Sequence, residues 1–303
     1  MLQGFRKRVW EGRWGYFFIA PAMIPFLIFT IYPLIQGIML SFYKAGVNRD
    51  RWEFIGITNY TRLLTRDPVF PTAIKNTFVF VLGVVPAAMI ICLFVAVLIY
   101  PLSQRKQTFF RAAFYMPVVS AGVVLAMVWV YMYSQEYGLL NYLLDVTGIL
   151  DLVNGGEKIG WLAKPNTALM SLAIVVLTWS LGQPLILFLA GLGAIPEVLY
   201  DAAKIDGATA WQSFWRITLP LLRPTILFVL VVLTIAVFQV FVVVQLMTLG
   251  GPANATQTIV YRIWVSAFTT FKFGYASAMA VILLAIVSVL AIVQFKLLDK
   301  QLT

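Results

Sequence analysis

Uncharged polar side chains stand inside the longest apolar runs of this 303-residue sequence, and they are the first candidates for chemistry. They are Asn76, Thr178, Ser180, Gln183, Gln239 and Gln245. Amide and hydroxyl groups suit the binding of a neutral, hydroxyl-rich solute, but in a helix bundle they also hydrogen-bond neighbouring helices. A helical spacing of i, i+3, i+4 and i+7 connects Thr178, Leu181, Gly182 and Leu185. That face predicts either a pocket or close helix packing.

Side chains for acid–base, covalent or metal chemistry are scarce. The sequence has no histidine and a single cysteine, Cys92, so Ser-His and Cys-His catalytic arrangements and thiolate metal clusters are excluded. None of the ten lysines is followed by Ser or Thr, so the common phosphate-binding loop is absent as well. We therefore expect a non-catalytic chain without a metal site, and a membrane-embedded enzyme is disfavoured.

The positions of the charged residues predict the fold class. Only 22 Lys and Arg and 12 Asp and Glu occur, and they leave six long charge-free segments. The segments are 14–43, 76–104, 112–135, 165–196, 224–261 and 273–295. A helix needs about 20 apolar residues to cross a bilayer, and continuous apolar runs argue against a β-barrel. The sequence predicts an all-α membrane protein with six transmembrane helices, and excludes a water-soluble enzyme or a nucleic-acid-binding protein.

The predicted boundaries follow from these segments. We place the spans at 16–42, 77–100, 112–133, 168–193, 224–247 and 275–295. The chain then divides into an N-terminal segment 1–15, a first transmembrane helix 16–42, a loop 43–76, a five-helix core 77–295 and a tail 296–303. Prolines inside the spans, such as Pro33, Pro86 and Pro184, predict kinks.

The orientation is predicted from the short loop between the second and third spans. That loop contains Arg105, Lys106 and Arg111 and no acidic residue. Short basic loops lie on the cytoplasmic side, so both termini and the 197–223 loop are predicted to be cytoplasmic too.

The energy source is predicted to lie outside this chain. No Asp or Glu falls inside the six segments, whereas ion-coupled carriers generally keep a carboxylate within the membrane. A proton- or sodium-coupled carrier is disfavoured, although backbone carbonyls can bind sodium. An ion channel is disfavoured because neither a carboxylate ring nor a carbonyl filter is visible.

The loop of residues 195–224 has internal structure. Pro196 and Glu197 suit the first turn of a helix that runs to Gly207. Thr209 can cap a second helix, which places Trp211, Phe214 and Trp215 on one face and ends where Pro220 intervenes. Two short helices that meet at a glycine predict a rigid, protruding elbow.

Seven residues of this loop, in order and spacing, resemble the EAA motif of the integral membrane subunits of bacterial ABC importers. They are Asp201, Ala202, Ala203, Gly207, Ile217, Leu219 and Pro220. Asp201 stands where that family commonly has Glu. Three further stretches are similar to the carbohydrate-uptake branch, which includes maltose, lactose and multiple-sugar permeases: "FIGITNY" at 54–60, "NT" at 76–77 and "TLGGP" at 248–252.

The resemblance implies a type I ABC importer permease, multi-pass in the bacterial cell membrane. It implies two permeases forming the pore, two ATPase subunits and an extracytoplasmic solute-binding protein, with ATP and Mg²⁺ bound by the ATPases and no cofactor in this chain. The seven motif residues would couple to an ATPase. Solute contacts would come from Thr178, Gly182, Phe238, Gln239 and Gln245. The alternatives are an ion-coupled carrier and an ABC permease for another solute such as glycerol 3-phosphate.

Overall fold

A computed structural model describes residues 13–120 and 122–299, and these residues are mostly helical. The first eight helices described are α1 (Arg13–Phe26), α2 (Tyr32–Leu40), α3 (Thr58–Thr65), α4 (Val69–Ile99), α5 (Gln104–Val119), α6 (Gly122–Met132), α7 (Leu139–Val146) and α8 (Ile149–Asn154). They are followed by α9 (Pro165–Ser180), α10 (Gly182–Gly193), α11 (Glu197–Ile205), α12 (Ala210–Ser213), α13 (Leu219–Leu221), α14 (Arg223–Phe238), α15 (Val242–Met247), α16 (Ile259–Trp264) and α17 (Phe273–Asp299). Three π turns occur at Leu27–Ile31, Phe214–Thr218 and Val265–Thr269.

Four stretches of helix are long and apolar enough to cross a membrane. They are Phe17–Leu40, Val69–Ile99, Arg223–Met247 and Phe273–Lys296. The pairs α5 with α6 and α9 with α10 reach this length only as bent pairs. Counting each bent pair as one span gives six, and the prediction of an all-α membrane protein is confirmed. Helices form here because the backbone has no water to bond to within a bilayer.

The helix boundaries differ from the predicted ones for local reasons. Helix α4 begins at Val69 rather than at residue 77, because the Asp67 carboxylate accepts hydrogen bonds from the N–H groups of Val69 (2.9 Å) and Phe70 (3.1 Å). The predicted fourth span bends by 43° between α9 and α10, just before Pro184. Pro86, in contrast, lies inside an uninterrupted α4. Residues 1–12 and 300–303 of the predicted terminal segments lie outside the described residues.

The chain divides into two compact units, one comprising the residues up to Thr65 with Val265–Ile282, and the other Arg66–Trp264 with the residues from Leu283 onward. The first unit contains the two short strands, β1 (Tyr43–Lys44) and β2 (Glu53–Phe54), which pair antiparallel. Its "FIGITNY" stretch has a structural role. The buried Asn59 side chain donates to the carbonyl oxygens of Ser41 (2.8 Å) and Tyr43 (3.0 Å), which fixes the turn after α2.

The second unit is a helix bundle with α4 at its centre, packed against α9, α10 and α14. Phe80, Phe188 and Phe238 are fully buried there, and Phe238 meets Phe78 edge to face at 5.3 Å between ring centroids. Lipid tails are as apolar as these side chains, so the hydrophobic effect does not drive helices together in a membrane. Close packing of this kind holds them together instead. Gly182 permits a close approach of α10 to α5: a Cβ there would lie 2.7 Å from Val118 Cγ2.

Candidate functional site

The elbow in the 195–224 loop begins with helix α11 and turns at Gly207. Pro196 precedes the helix, and Glu197 lies in its first turn. Gly207 has φ of +75°, and its N–H donates to the Lys204 carbonyl oxygen at 3.0 Å. A Cβ at Gly207 would meet nothing within 4 Å, so the positive φ, not lack of space, favours glycine. The predicted helix and its glycine break are confirmed.

The second arm of the elbow starts at a capping box. The Thr209 hydroxyl accepts from the Gln212 N–H at 3.3 Å, and the Gln212 side chain accepts from the Thr209 N–H at 2.8 Å. The expectation that Pro220 ends this arm is wrong, since helical structure continues to Leu221. Pro220 lies at the start of α13, just after the π turn, where a missing N–H breaks no helix.

Aromatic rings and one hydroxyl pair give the elbow its shape. The ring centroids of Trp211 and Trp215 lie 5.6 Å apart, and Phe214 lies 5.6 Å from Trp215. These three residues share one face, as predicted, and Trp211 remains 69% exposed. The hydroxyls of Tyr200 and Thr218 are 2.9 Å apart and join the two arms. The elbow is therefore a cross-braced projection with an uncovered aromatic surface.

The seven motif residues occupy different parts of the elbow. Ala203, Gly207 and Ile217 line a groove of about 400 Å³. Asp201 and Ala202 are exposed on α11, outside that groove, while Leu219 and Pro220 are half-buried in α13. The Asp201 carboxylate lies 3.0 Å from Lys204 Nζ, and both side chains are largely exposed, at 66% and 75%. An exposed pair at this spacing contributes only about 0.2–0.5 kcal/mol, so Asp201 can exchange partners readily.

A second candidate site lies where two spans are interrupted side by side. One interruption is between α9 and α10, and the other separates α14 from α15. Between them is a groove of about 380 Å³. It is lined by Val118, Val176, Trp179, Ser180, Gln183, Pro184, Leu233, Ala236, Val237, Gln239, Val240, Phe241, Val242 and Val243. All of these side chains are uncharged, and Pro184 has no N–H to donate to the Ser180 carbonyl four residues earlier. Interrupted helices that expose polar groups are a common basis for solute sites in transporters.

Of the five residues predicted to contact a solute, the structure places one in this groove. Gln239 lines it and is exposed. Thr178 donates to the Val175 carbonyl oxygen of its own helix at 2.7 Å, and Phe238 is buried in the core. Gly182 lies at a helix contact. Gln245 lies outside the groove lining, and its buried Oε1 accepts no hydrogen bond within the described part of the chain.

Three lining residues whose side chains carry a hydrogen-bonding group were not among the five candidates: Trp179, Ser180 and Gln183. A signal for them was present in the sequence, because Gln183 and Pro184 follow Gly182 directly. Glycine and proline so close together indicate a break in a span, and polar side chains beside such a break are exposed to the groove.

The "NT" stretch bonds to the residues that follow "TLGGP" in the second unit. Asn76 Nδ2 donates to the carbonyl oxygens of Asn254 (3.2 Å) and Gln257 (3.1 Å). The Thr77 hydroxyl accepts from the Ile259 N–H at 3.1 Å. The loop after α15 contains four residues with positive φ: Leu249, Gly250, Ala253 and Asn254. These bonds tie α4 to the far end of that loop, so the "NT" stretch has a structural role.

Similarity to known proteins identifies the family to which the chain belongs. A family model described as the binding-protein-dependent transport system inner membrane component matches residues 77–303. The chain belongs to this family. It is an inner-membrane permease component of an ABC importer, and it works with a solute-binding protein.

Relatives of this permease cover nearly its whole length. The lactose transport system permease protein LacF of Rhizobium radiobacter is 35% identical over 93% of this chain and 92% of its own. The sn-glycerol-3-phosphate transport system permease protein UgpA of Brucella suis is 34% identical over 94% of each chain. A crystal structure of a bacterial ABC transporter that imports the acidic polysaccharide alginate has a similar fold, with a TM-score of 0.82 at 23% identity over 98% of both chains.

Proposed function

We propose that this permease conducts a neutral carbohydrate through a pathway that includes the groove between the interrupted spans. The observation that carries the proposal is the groove lining, in which the amides of Gln183 and Gln239 and the Trp179 ring stand among apolar walls. The Ser180 hydroxyl donates to the Val176 carbonyl oxygen at 2.7 Å and keeps its acceptor capacity. Amides and hydroxyls can exchange hydrogen bonds with sugar hydroxyls, and an aromatic face can pack on a sugar ring. The similarity to a lactose permease supports the same solute class.

A phosphorylated solute is the second candidate, because a glycerol-3-phosphate permease is almost equally similar. Phosphate is recognised mainly by Arg, Lys or clustered N–H donors. The groove lining contains only uncharged side chains, which favours a neutral solute. An ion-coupled carrier is disfavoured, because the family is binding-protein-dependent.

Gln239→Ala is the first test, with Gln245→Ala as its matched control, since both remove an amide from the same interrupted span but only Gln239 lines the groove. The intact transporter is reconstituted in proteoliposomes with its binding protein, and uptake of labelled oligosaccharides and of glycerol 3-phosphate is measured. Losing one net hydrogen bond of about 0.5–1.5 kcal/mol should weaken apparent solute affinity roughly 2- to 12-fold. Gln245→Ala should transport normally.

Equal effects of the two substitutions would contradict the groove assignment. Uptake of glycerol 3-phosphate in preference to every neutral sugar would contradict the solute class. Uptake without ATP, driven by an ion gradient, would contradict the importer mechanism as a whole.

We further propose that the elbow docks on one of two ATPase subunits and that a second, similar permease completes the pore. ATP and Mg²⁺ would be bound by the ATPases. The exposed Asp201 carboxylate would leave Lys204 and pair with a basic residue of the ATPase, while Ala202 and Ala203 keep the contact close. Because Tyr200 and Thr218 brace the two arms, a push on α11 would move the spans that flank the elbow, α10 and α14, as a lever.

Asp201→Lys tests this coupling, and Asp206→Lys is the control because it makes the same charge change at another exposed acid of the elbow. We expect Asp201→Lys to insert normally but to uncouple ATP hydrolysis from transport, so that uptake per ATP falls several-fold. Asp206→Lys should keep more of this ratio. Normal coupling in Asp201→Lys, or an equal loss in both variants, would argue against a specific role for Asp201.

A further inference from the structure

The two short helices between α6 and α9 have apolar side chains on an uncovered face. In α7 the exposed apolar residues follow an i, i+3, i+4, i+7 spacing and are Leu139, Tyr142, Leu143 and Val146. In α8 they follow i, i+3, i+4 and are Ile149, Leu152 and Val153. We call these seven residues the hairpin stripe. Leu152 is 87% exposed.

The other faces of the two helices are already packed or polar. Asn141 and Leu150 are buried, at 1% and 2% exposure, so the side toward the protein is filled. Asp151 lies roughly opposite the stripe, given about 3.6 residues per turn. A helix in water exposes its polar side, whereas here an apolar side is also exposed. A contiguous apolar surface of this kind is typical of contact with a membrane or a protein.

The hairpin is held rigidly close to the end of α6. Helix α6 ends at Met132 and α7 begins at Leu139. Asn141 Nδ2 donates to the Ile159 carbonyl oxygen at 3.0 Å, and its Oδ1 accepts from the Ile159 N–H at 3.1 Å. A Cβ at Gly138 would overlap the Ser134 carbonyl oxygen, so the chain turns there as only glycine allows. Asn141 Nδ2 also donates to the Gln135 carbonyl oxygen at 3.3 Å, so the α7 part of the stripe is held next to the end of α6.

The stripe continues an apolar surface of α6 that is suited to lipid. Exposed apolar side chains of α6 occur at i, i+3, i+4 and i+7: Val124, Met127, Val128 and Tyr131. The rings of Tyr131 and Tyr137 lie 5.4 Å apart, and both are exposed. Tyrosine is enriched at the boundary between membrane and water. Helix α6 is part of a candidate span. Tyr131 in its last turn and Tyr137 just after it indicate that α6 leaves the bilayer here.

We propose that α7 and α8 lie along the bilayer surface, with the hairpin stripe inserted at the level of the lipid headgroups and upper acyl chains. The leaflet is the one at the end of α9 remote from the elbow. Exposed Asp145 and Asp151 lie off the stripe, and acids are not attracted to anionic lipids. Apolar contact therefore binds the hairpin, and it anchors the loop that joins α6 to α9.

Depth measurement by nitroxide labelling tests the proposal. Leu152→Cys and Asp151→Cys are made in the full-length chain, labelled and placed in phosphatidylcholine nanodiscs. The unsubstituted chain gives the background, since its one cysteine, Cys92, is buried. Collision with oxygen, which concentrates in the bilayer, is compared with collision with a water-soluble nickel chelate. The oxygen-to-nickel ratio should be several-fold higher at residue 152 than at residue 151.

A second pair, Leu143→Cys and Asp145→Cys, repeats the test on α7 and keeps it decisive if one variant folds poorly. Equal nickel access at the stripe and control positions would place the stripe in water and overturn the proposal. Low access of both reagents at the stripe would show that protein covers it, and would overturn the proposal in favour of a contact between chains.

Discussion

Two glycines of helix α10 show how strongly local environment determines the role of a residue. Gly182, at the start of the helix, faces α5, where an added Cβ would lie 2.7 Å from Val118 Cγ2 and 2.8 Å from the Phe114 carbonyl oxygen. Gly193, at the end of the same helix, would place a Cβ 4.0 Å from its nearest neighbour, Tyr100 Cε2. Only the first glycine is required for packing.

Gly182→Val should therefore destabilise the folded chain, and Gly193→Val should not. Overpacking of a close helix contact costs about 1–3 kcal/mol, and a fixed backbone carbonyl cannot move aside as a side chain can. The Tm of each variant in detergent, followed by fluorescence, is the measurement. A Gly182→Val chain as stable as Gly193→Val would show that α5 and α10 separate easily.

Among the elements, the helices that span the bilayer were predictable because absence of charge over 20 or more residues is a strong signal. Pro184 predicted a bend in the fourth span, but the exact positions of the interruptions were not predictable, since hydropathy averaged over a span does not detect a single unwound turn. Because the positions of the interruptions were unknown, most of the predicted solute contacts do not line the groove. Of the five predicted solute contacts, Gln239 lines the groove. Thr178 and Gly182 were placed on one continuous helix face, and Phe238 was named because the family resemblance puts solute contacts on the fourth and fifth spans. Trp179 and Gln183 line the groove because of the bend between α9 and α10, which Gly182 and Pro184 signal in the sequence but whose angle only the structure shows.

The elbow was predictable in greater detail because its signals are local. Thr209, Gln212 and Gly207 specify a cap and a turn through their own backbone geometry, without long-range packing. The π turn at Phe214–Thr218 has no such local signal and was not predicted; its last residue, Thr218, pairs with Tyr200 of the other arm, a contact between residues 18 apart in sequence.

Thr209→Ala should loosen the second arm of the elbow without unfolding the protein. Losing an N-cap hydroxyl costs about 1 kcal/mol, which corresponds to a roughly fivefold faster opening of the first turn of α12. Hydrogen exchange of the amides of residues 210–213 is the measurement. Ser213→Ala is the control. Ser213 contacts Thr218 through its backbone carbonyl oxygen, which accepts from the Thr218 hydroxyl, so the substitution keeps this contact. Equal exchange in the two variants would mean that packing, not the capping box, holds the arm.

At the scale of the whole molecule, charge outside the spans determines how the bundle is inserted. The loop before α5 and the first turns of that helix contain Arg105, Lys106 and Arg111, all exposed and without a nearby acid in sequence. The loop between α6 and α9 instead contains Glu136, Asp145, Asp151 and Glu157 against Lys158 and Lys164. Short basic loops are retained in the cytoplasm during insertion, so this asymmetry predicts that the elbow faces the cytoplasm.

Cysteine accessibility checks this orientation, with Ser103→Cys beside the basic loop and Thr147→Cys between α7 and α8 as a matched pair of exposed small residues. In intact cells a membrane-impermeant maleimide should label Thr147→Cys several-fold more than Ser103→Cys, because only the former faces outward. Permeabilising the membrane should make the two equal. The opposite pattern would place the elbow outside, where no ATPase could reach it, and would refute both the orientation and the proposed coupling. Labelling of the unsubstituted chain should stay low, since Cys92 is buried.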